Sequence, residues 1–428
     1  MGVSVKELIA EGKTKKIWSV HESESDVIVE SKDDLTAGDG AKHHVIAGKA
    51  RLSNRTTSNV FRLLQSCGLP VAFKQEISET GFLAERCAMI PYEVVVRREA
   101  HGSFLKRYPG VKRGHFFPRL IVEFFLKTSG KKWKDVMLPK DDPLIRFDGN
   151  CALLYLPDHP IYQQNPFLTL KDFPLRDSES DRKKIGSIAV KTFLILEKAW
   201  QIRGMRLVDF KVEFGKNTNA KMRLADVIDN DSWRVLENGN YIDKQVYRDG
   251  ADINTVSEKY RLVADLTGSF GLPRQQIILW RASTHDDLYP FADAIAAYGV
   301  DEDCQVKFST YTCSLHKEPV LACQEIWKLT QEIPDSVVIV YAGRSNGAGP
   351  TLSAQVTVPV ITVPANFKDF PDDVWSSLRT PSEAPAATIL DPKNAVLSAL
   401  QILAIRNPRL YAELRVRQER RLSNIINI

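Results

Sequence analysis

Cysteine is scarce and dispersed. The six cysteines (Cys67, Cys87, Cys151, Cys304, Cys313 and Cys323) include no C-x-x-C pair. That speaks against a redox motif or a zinc site built on such pairs, and leaves reduced thiols in a cytosolic protein as the expectation. The eight histidines show no H-E-x-x-H spacing, and the adjacent His43 and His44 cannot share one helix face, so zinc is not expected. No stretch reaches the roughly 18 consecutive apolar residues of a membrane helix. Runs such as Val337–Tyr341 are strand-length, and Met1–Ala10 carries Lys6 and Glu7 without an apolar core, so neither a membrane partner nor a secretory signal is expected. A charge excess is missing too. The 58 basic residues against 53 acidic give +5 over 428 residues, too little for a dedicated nucleic-acid binder. No internal repeat is visible. What is present, 43% hydrophobic and 26% charged residues, is ordinary globular composition, and the length suggests two or three domains at about 150 residues each.

Two textures divide the chain. Up to about residue 265, short strands such as Lys16–Trp18 and Asp26–Glu30 precede mixed helix and strand. A helix is predicted over Asn54–Cys67, stopped by Gly68 with Pro70 beyond. A second is predicted over Arg182–Trp200, with Ile185, Ile188, Phe193, Leu196 and Trp200 as its apolar stripe. From Ile277 onward strand, loop and helix repeat. Ile277–Trp280, Gln305–Thr310, Ser336–Ala342 and Val358–Val363 read as strands, Phe291–Ala297 and Val320–Leu329 as helices. Continuous apolar strands between helices indicate a parallel sheet covered on both faces. Gly268, Ser269, Gly271 and Pro273 mark a linker. The expected division is therefore 1–264, linker 265–273 and 274–428.

Three features of the first part carry chemistry. Gly12 beside Lys13, Lys15 and Lys16 suits a backbone approach to phosphate, and equally a solvated basic turn. It is not a Walker A loop, because Glu7 occupies the first glycine position. Arg206–Gly215 alternates, so Val208, Phe210, Val212 and Phe214 share one strand face and Asp209, Lys211 and Glu213 the other. Leu224–Ile228 reads as a further strand carrying Asp226, with Asp229, Asp231 and Arg234 following. Carboxylates on neighbouring strands suit Mg²⁺ held together with substrate phosphates. Asp209 and Lys211 are candidate catalytic residues, although Lys211 between Asp209 and Glu213 also fits an ion pair that only orients metal ligands.

EGKTK at 11–15, TAGDGA at 36–41, MIPYEVVVRR at 89–98, GSFLKR at 102–107, LVDFKVEFG at 207–215, LADVIDNDSWR at 224–234 and the Lys244…Arg248 pair occur in one order. In this the region 8–260 resembles the phosphoribosylaminoimidazole-succinocarboxamide synthase family, which joins aspartate to a carboxylated aminoimidazole ribotide using ATP. The resemblance implies an α+β, two-lobed, ATP-binding domain. It implies that Gly12, Lys13 and Lys15 meet the ATP phosphates, that Met89 faces the adenine, and that Glu213 and Asp226 hold Mg²⁺. Asp39, Arg97, Ser103, Asp231, Arg234, Lys244 and Arg248 would surround the ribotide.

In the second part, polar loops follow three strands: Ala282–Asp286, Thr312–Lys317 and Gly343–Pro350. Ligands of open parallel sheets bind beyond the carboxyl ends of the strands, so these loops are expected to converge. AGRSNGAGP at 342–350, DVWSSLR at 373–379 and, more weakly, SLHKEP at 314–319 resemble the animal-type phosphoribosylaminoimidazole carboxylases, which use CO₂ without ATP or biotin. The resemblance implies a three-layer α/β domain with a parallel sheet. His316 would carry the proton, and Lys317 would lie near the ribotide phosphate. Ser283 and Asp286 would bind phosphate or ribose, and Arg344, Ser345, Asn346 and Gly347 would line the pocket for CO₂ and imidazole. It further implies a homo-octamer built through this domain, for which the apolar helix Ala395–Ile405 offers a contact surface, while the basic tail Arg415–Arg421 reads as a solvated helix end. Departures from the pattern are Ala282 for glycine, His285 for serine, Leu315 for alanine and Glu318 for glycine, with Glu383–Ala386 where the family is glycine-rich. They motivate a competing reading in which this half is only an oligomerisation scaffold.

Overall fold

The computed structural model describes residues 4–37, 42–128, 132–133, 136–139, 141–148, 151–171, 178–300 and 304–422. Two compact units result. One runs to Gly271 and includes the chain from Gln418; the other is Leu272–Arg417.

The first unit has two principal antiparallel sheets among the described residues. The smaller orders Val5–Glu11, Lys15–Val20, Asp26–Ser31, Gly81–Glu85 and Phe73–Glu76 side by side. The larger is centred on the twelve-residue strand Arg206–Asn217, which pairs with Tyr92–Glu99 on one side and Trp233–Glu237 on the other. Farther along, the same strand also pairs with Met222–Ala225 and with the short Cys87–Met89. The predicted alternation holds here: Val208, Phe210, Val212 and Phe214 are buried, and Phe210 meets Phe193 of the helix Glu179–Ile202 edge to face.

Both predicted helices exist but start earlier. Glu179–Ile202 begins at a capping box, in which Ser178 and Asp181 exchange side-chain and backbone hydrogen bonds. Lys49–Ser66 begins five residues before Asn54 because the chain turns at Gly48, whose φ is +82°, and Asp33 accepts the N–H groups of Gly48 and Ala50. That cap lies sixteen residues upstream in sequence, outside any local start signal. The predicted strand at Leu224–Ile228 is shorter than expected. It ends at Ala225, and Asp226 stands beyond it with φ +65°.

The second unit is a parallel sheet ordered Val306–Thr312, Gln275–Arg281, Ser336–Ala342, Val360–Pro364, Ala387–Thr388. Alternate strand residues enter two cores. Ile277, Val337, Ile339, Ile361 and Val363 pack against Phe291 of Tyr289–Ala297 and against Ala395, Val396, Ala399 and Leu400 of Pro392–Leu403. Ile278, Trp280, Val338 and Val340 pack against Ala322 and Ile326 of Pro319–Glu332 and Leu352 of Ala348–Ser353. The three-layer α/β expectation is met. Two expectations about the C-terminal region are not. The apolar face of the helix predicted at Ala395–Ile405 is spent on its own core, so it is no free contact surface. The tail is not simply solvated: Glu419, near the end of Pro408–Leu422, is buried and accepts hydrogen bonds from Arg98 at 3.1 Å and the Leu120 N–H at 2.8 Å. Of the predicted linker, residues up to Thr267 belong to the helix Ile253–Thr267.

Candidate active sites

In the first unit a cavity of about 430 Å³ is lined by apolar Val29, Phe82 and Ala84 and by Lys15, Met89, Lys127, Glu213 and Asp226. Strand register produces the carboxylate pair. Glu213 is opposite Ala225 in the antiparallel ladder, so Asp226 follows at its side. Lys15 pairs with Asp226, and Lys127 donates to both Glu213 oxygens at 2.8 Å. Burial would raise Glu213, but Lys127, Lys15 and Lys211 together hold it below the usual carboxylate range. Burial pushes Lys15 down to about 8, with Glu213 opposing. Gly12 and Lys13 sit in the exposed turn ahead of Lys15, outside the cavity wall. There the Gly12 N–H donates to the Lys15 carbonyl at 2.9 Å.

A second cluster lies along the same strand. Arg97 is buried, donating to Glu123 at 2.7 Å and to Asp209 at 2.5 Å, and Arg234 donates to Asp209 at 2.7 Å. Gly102, with φ +58°, stands so close to the Arg234 guanidinium that a Cβ there would overlap it, which sets the adjacent Ser103 beside this group. Ser103 itself accepts from Arg107 at 3.2 Å. Between the two clusters, Lys211 donates to Glu93 at 2.5 Å. The expected Asp209–Lys211–Glu213 ion pair is therefore replaced by a cross-strand partner. Burial works to lower Lys211, but Glu93, Glu213 and Asp231 raise it. Asp209 to Glu213 spans four residues, about 13 Å of strand, enough to reach from a nucleotide phosphate to a second substrate.

The third group gathers Asp231, Lys244 and Tyr260. Lys244 donates to Asp231 at 2.8 Å and the Tyr260 hydroxyl donates to its other oxygen at 2.5 Å. Arg248 does not join this contact and donates to Gln245 at 3.2 Å. Asp39 falls outside the described residues. Sequence reasoning missed Glu93, Lys127, Glu123 and Tyr260. Glu93 was within reach, since it alternates with Arg97 along Tyr92–Glu99; Lys127 sits just past the strand Phe116–Leu126 with no pattern to mark it.

In the second unit the three loops do converge. His316 Nε2 and Ser345 Oγ are 3.3 Å apart. Asp286 accepts the Ser283 N–H at 2.9 Å and lies beside Gly343. The Arg344 guanidinium stacks on Phe370 at 4.4 Å, while Lys317 is exposed. Asn346 is fully buried just before Gly347, and among the described residues neither its side-chain nitrogen nor its side-chain oxygen has a hydrogen-bond partner. Four departures from the family pattern find places in the structure, whereas Glu383, in the segment that is glycine-rich in the family, stands at φ +67°. Leu315 and Ala282 turn into the apolar cluster around Trp280 and Cys313. His285 Nδ1 lies 3.2 Å from Ser283 Oγ. Glu318 precedes the helix Pro319–Glu332 as an exposed residue.

A cleft with a lysine–carboxylate wall on antiparallel sheets, joined in one chain to a parallel-sheet unit with its own loop cluster, is the layout of an enzyme with two separate sites. The SAICAR synthetase family model matches residues 8–265 and the AIR carboxylase model residues 284–423. The chain is 35% identical over 98% of its length to the probable multifunctional protein ADE2 of Caenorhabditis elegans, covering 95% of that protein. It is 33% identical over 100% of its length to the bifunctional phosphoribosylaminoimidazole carboxylase/phosphoribosylaminoimidazole succinocarboxamide synthetase of Drosophila melanogaster, again covering 95%. A solved type-2 SAICAR synthetase in complex with ADP is 30% identical, with a TM-score of 0.51 over 62% of this chain and 99% of that one. The chain belongs to the family of bifunctional phosphoribosylaminoimidazole carboxylase/phosphoribosylaminoimidazole succinocarboxamide synthetases.

Proposed function

We propose that the chain catalyses two consecutive reactions of purine biosynthesis. Aminoimidazole ribotide is carboxylated with CO₂, without ATP or biotin. The product is then condensed with aspartate, using ATP, to give the succinocarboxamide ribotide, ADP and phosphate. We assign the second reaction to residues 1–264 and the first to 274–428, with 265–273 between them. The observation that carries this reading is the convergence of Lys15, Met89, Glu213 and Asp226 on one cavity, with Asp209, Arg97 and Arg234 farther along the same strand.

A carboxylate is a poor acyl donor until its oxygen is phosphorylated. ATP bound with adenine against Met89 would direct its γ-phosphate past Lys15 toward a ribotide carboxylate near Lys211. Transfer gives an acyl phosphate, and the aspartate amine then attacks the acyl carbon and expels phosphate. Lys15 and Lys127 balance developing charge. Arg97, Ser103, Asp231, Arg234, Lys244 and Arg248, with Asp39, are assigned to the ribotide.

Among the described residues no three His, Cys, Asp or Glu side chains gather as a protein-only metal site. Glu213 and Asp226 are two hard oxygen donors at the cavity wall, the kind of pair that holds Mg²⁺ when phosphates and waters complete its shell. Mg²⁺ there would neutralise phosphate charge.

In the carboxylase half, the imidazole carbon bonds to CO₂ and then loses its proton. His316, exposed and beside Ser345, accepts that proton. Ser283, Asp286 and Lys317 are assigned to phosphate and ribose, and Arg344, Ser345, Asn346 and Gly347 to CO₂ and the imidazole. We place the protein in the cytosol; among the described residues no helix is long and apolar enough to cross a membrane. We further propose a homo-octamer assembled through the carboxylase half. Exposed Val320, Leu321 and Trp327 on Pro319–Glu332 provide apolar surface for it, and sedimentation would give the mass.

The test supplies purified chain with aminoimidazole ribotide and bicarbonate, omitting ATP and aspartate. Appearance of carboxylated ribotide supports the reading, and its absence overturns the carboxylase half of it. Carboxylated ribotide, Mg-ATP and aspartate then test the synthase half independently.

A further inference from the structure

One buried cation has no part in the chemistry above. Lys49 is the first residue of the helix Lys49–Ser66 and is only 2% exposed. A lysine is rarely buried to that degree unless its charge is matched. Its Nζ lies 5.5 Å from the centre of the Tyr260 ring, and the Tyr260 hydroxyl donates to Asp231 at 2.5 Å. Asp231 and Asp229 occupy one tight loop, in which Asp229 accepts the Asp231 N–H at 2.9 Å. Two carboxylates so placed repel each other, and low dielectric amplifies the repulsion.

We propose that Lys49 is a positioning residue of the synthase site: it balances the Asp229–Asp231 pair from the helix side, so that Asp231 holds Lys244 where it meets the ribotide. The proposal rests on the assignment of Asp231 and Lys244 to the ribotide. The charged and titratable groups around Asp231 are Asp229 of its own loop, Lys49 of the helix Lys49–Ser66, Tyr260 of Ile253–Thr267, Lys244, and Lys211 of the central strand, with Asp243 acting on Tyr260. Burial alone would raise Asp231, but Lys49 and Lys244 hold it below its ordinary value, whereas burial and Asp231 push Asp229 up. Lys49 and Lys244 thus both favour the ionised form of Asp231, the carboxylate that pairs with Lys244. Lys49, buried against the Tyr260 ring, is assigned no contact with substrate.

Lys49→Met and Lys49→Arg in the full chain test this, with the carboxylation step as a control for folded protein. The expected result for Lys49→Met is a roughly tenfold higher KM for carboxylated ribotide, a smaller change in KM for ATP, and an acid limb of kcat/KM moved to higher pH. The sign follows from Asp231 taking up a proton more readily once Lys49 is gone. Lys49→Arg keeps the charge and is expected to restore most of the KM and the pH profile, also providing a readout if Lys49→Met fails to fold. An unchanged KM and pH profile in Lys49→Met overturns the proposal. So does a Lys49→Arg variant as impaired as Lys49→Met, which would make Lys49 a packing element. Lys244→Ala separates the underlying assignment: no rise in ribotide KM there overturns the ribotide reading itself, whereas a rise there without one in Lys49→Met overturns only the role of Lys49.

Discussion

Met89 and Gly215 stand opposite each other where the short strand Cys87–Met89 pairs with Arg206–Asn217. The Met89 sulfur lies 3.2 Å from the position a Cβ on Gly215 would take. That Cβ would also be 2.7 Å from the Cys87 Cβ and 3.2 Å from the Ala88 carbonyl. Gly215 therefore lets the strand Cys87–Met89, assigned to the adenine, lie flat on the strand that carries Glu213.

Gly215→Ala should push Cys87–Met89 outward, at an overpacking cost of about 1–3 kcal/mol. Because Met89 lines the cavity, the expected outcome is a KM for ATP raised on the order of tenfold, with carboxylation of aminoimidazole ribotide unchanged. Steady-state ADP release measures it, and an unaltered KM for ATP would show that the cavity is not the adenine site.

Asp243 gives a pH prediction. It is buried and accepts the Val235 and Gln245 N–H groups, each at 2.8 Å, which fixes the turn bearing Lys244. Burial pushes its carboxyl up to about 7, against the pull of those donors and Arg234. A group raised in the folded state binds its proton there while the unfolded chain has already lost it. Its contribution is fully present below the ordinary value near 4 and is lost as pH rises toward 7, at roughly 1 kcal/mol per pH unit. Asp243→Asn cannot titrate. Urea unfolding at pH 5 and pH 7 should show wild type losing stability relative to Asp243→Asn over that interval, whatever the variant's absolute stability. Parallel curves would place the Asp243 titration outside this window.

The central strand was legible because alternation is a local property: Val208 to Phe214 inward, Asp209 to Glu213 toward the site. The parallel-sheet unit was legible for the same reason, its strands being continuous apolar runs. What escaped depended on contacts distant in sequence. Glu93, not Asp209 or Glu213, pairs with Lys211 because strand register brings it across. Lys49 draws its meaning from Asp229 and Asp231, some 180 residues later. Glu419 lies in a basic tail that reads as a solvated helix end, and its burial depends on Arg98 and Leu120, some 300 residues earlier. Charged residues outside a periodic stripe carry no local sign of burial.

Leu315 decides between two accounts of the second site. A leucine in place of a small residue would narrow the pocket assigned to CO₂, yet its side chain is buried among Trp280, Cys313 and Ile326. Leu315→Ala should therefore leave carboxylation no faster and destabilise the second unit by about 2–5 kcal/mol, the usual cost of a buried leucine truncation. Thermal unfolding and carboxylation rates measured together separate the accounts. A faster carboxylase of undiminished stability would mean that Leu315 obstructs the pocket.

His316 and Ser345 come from loops after different strands, and their 3.3 Å separation sets the residue assigned to proton transfer against the glycine-bearing loop that carries the buried Asn346. His316→Asn retains a side-chain amide able to hydrogen-bond Ser345 but has no basic nitrogen near neutral pH. Removing a positioned base typically costs 10²–10⁴ in rate, so carboxylation should fall by about that factor. Condensation of supplied carboxylated ribotide with aspartate should proceed at the wild-type rate, because the residues assigned to that step all lie in the first unit. Loss of both activities in a folded variant would contradict separate sites. Loss of neither would move the proton-transfer role away from His316, and with it the assignment of the convergent loops as the carboxylation centre.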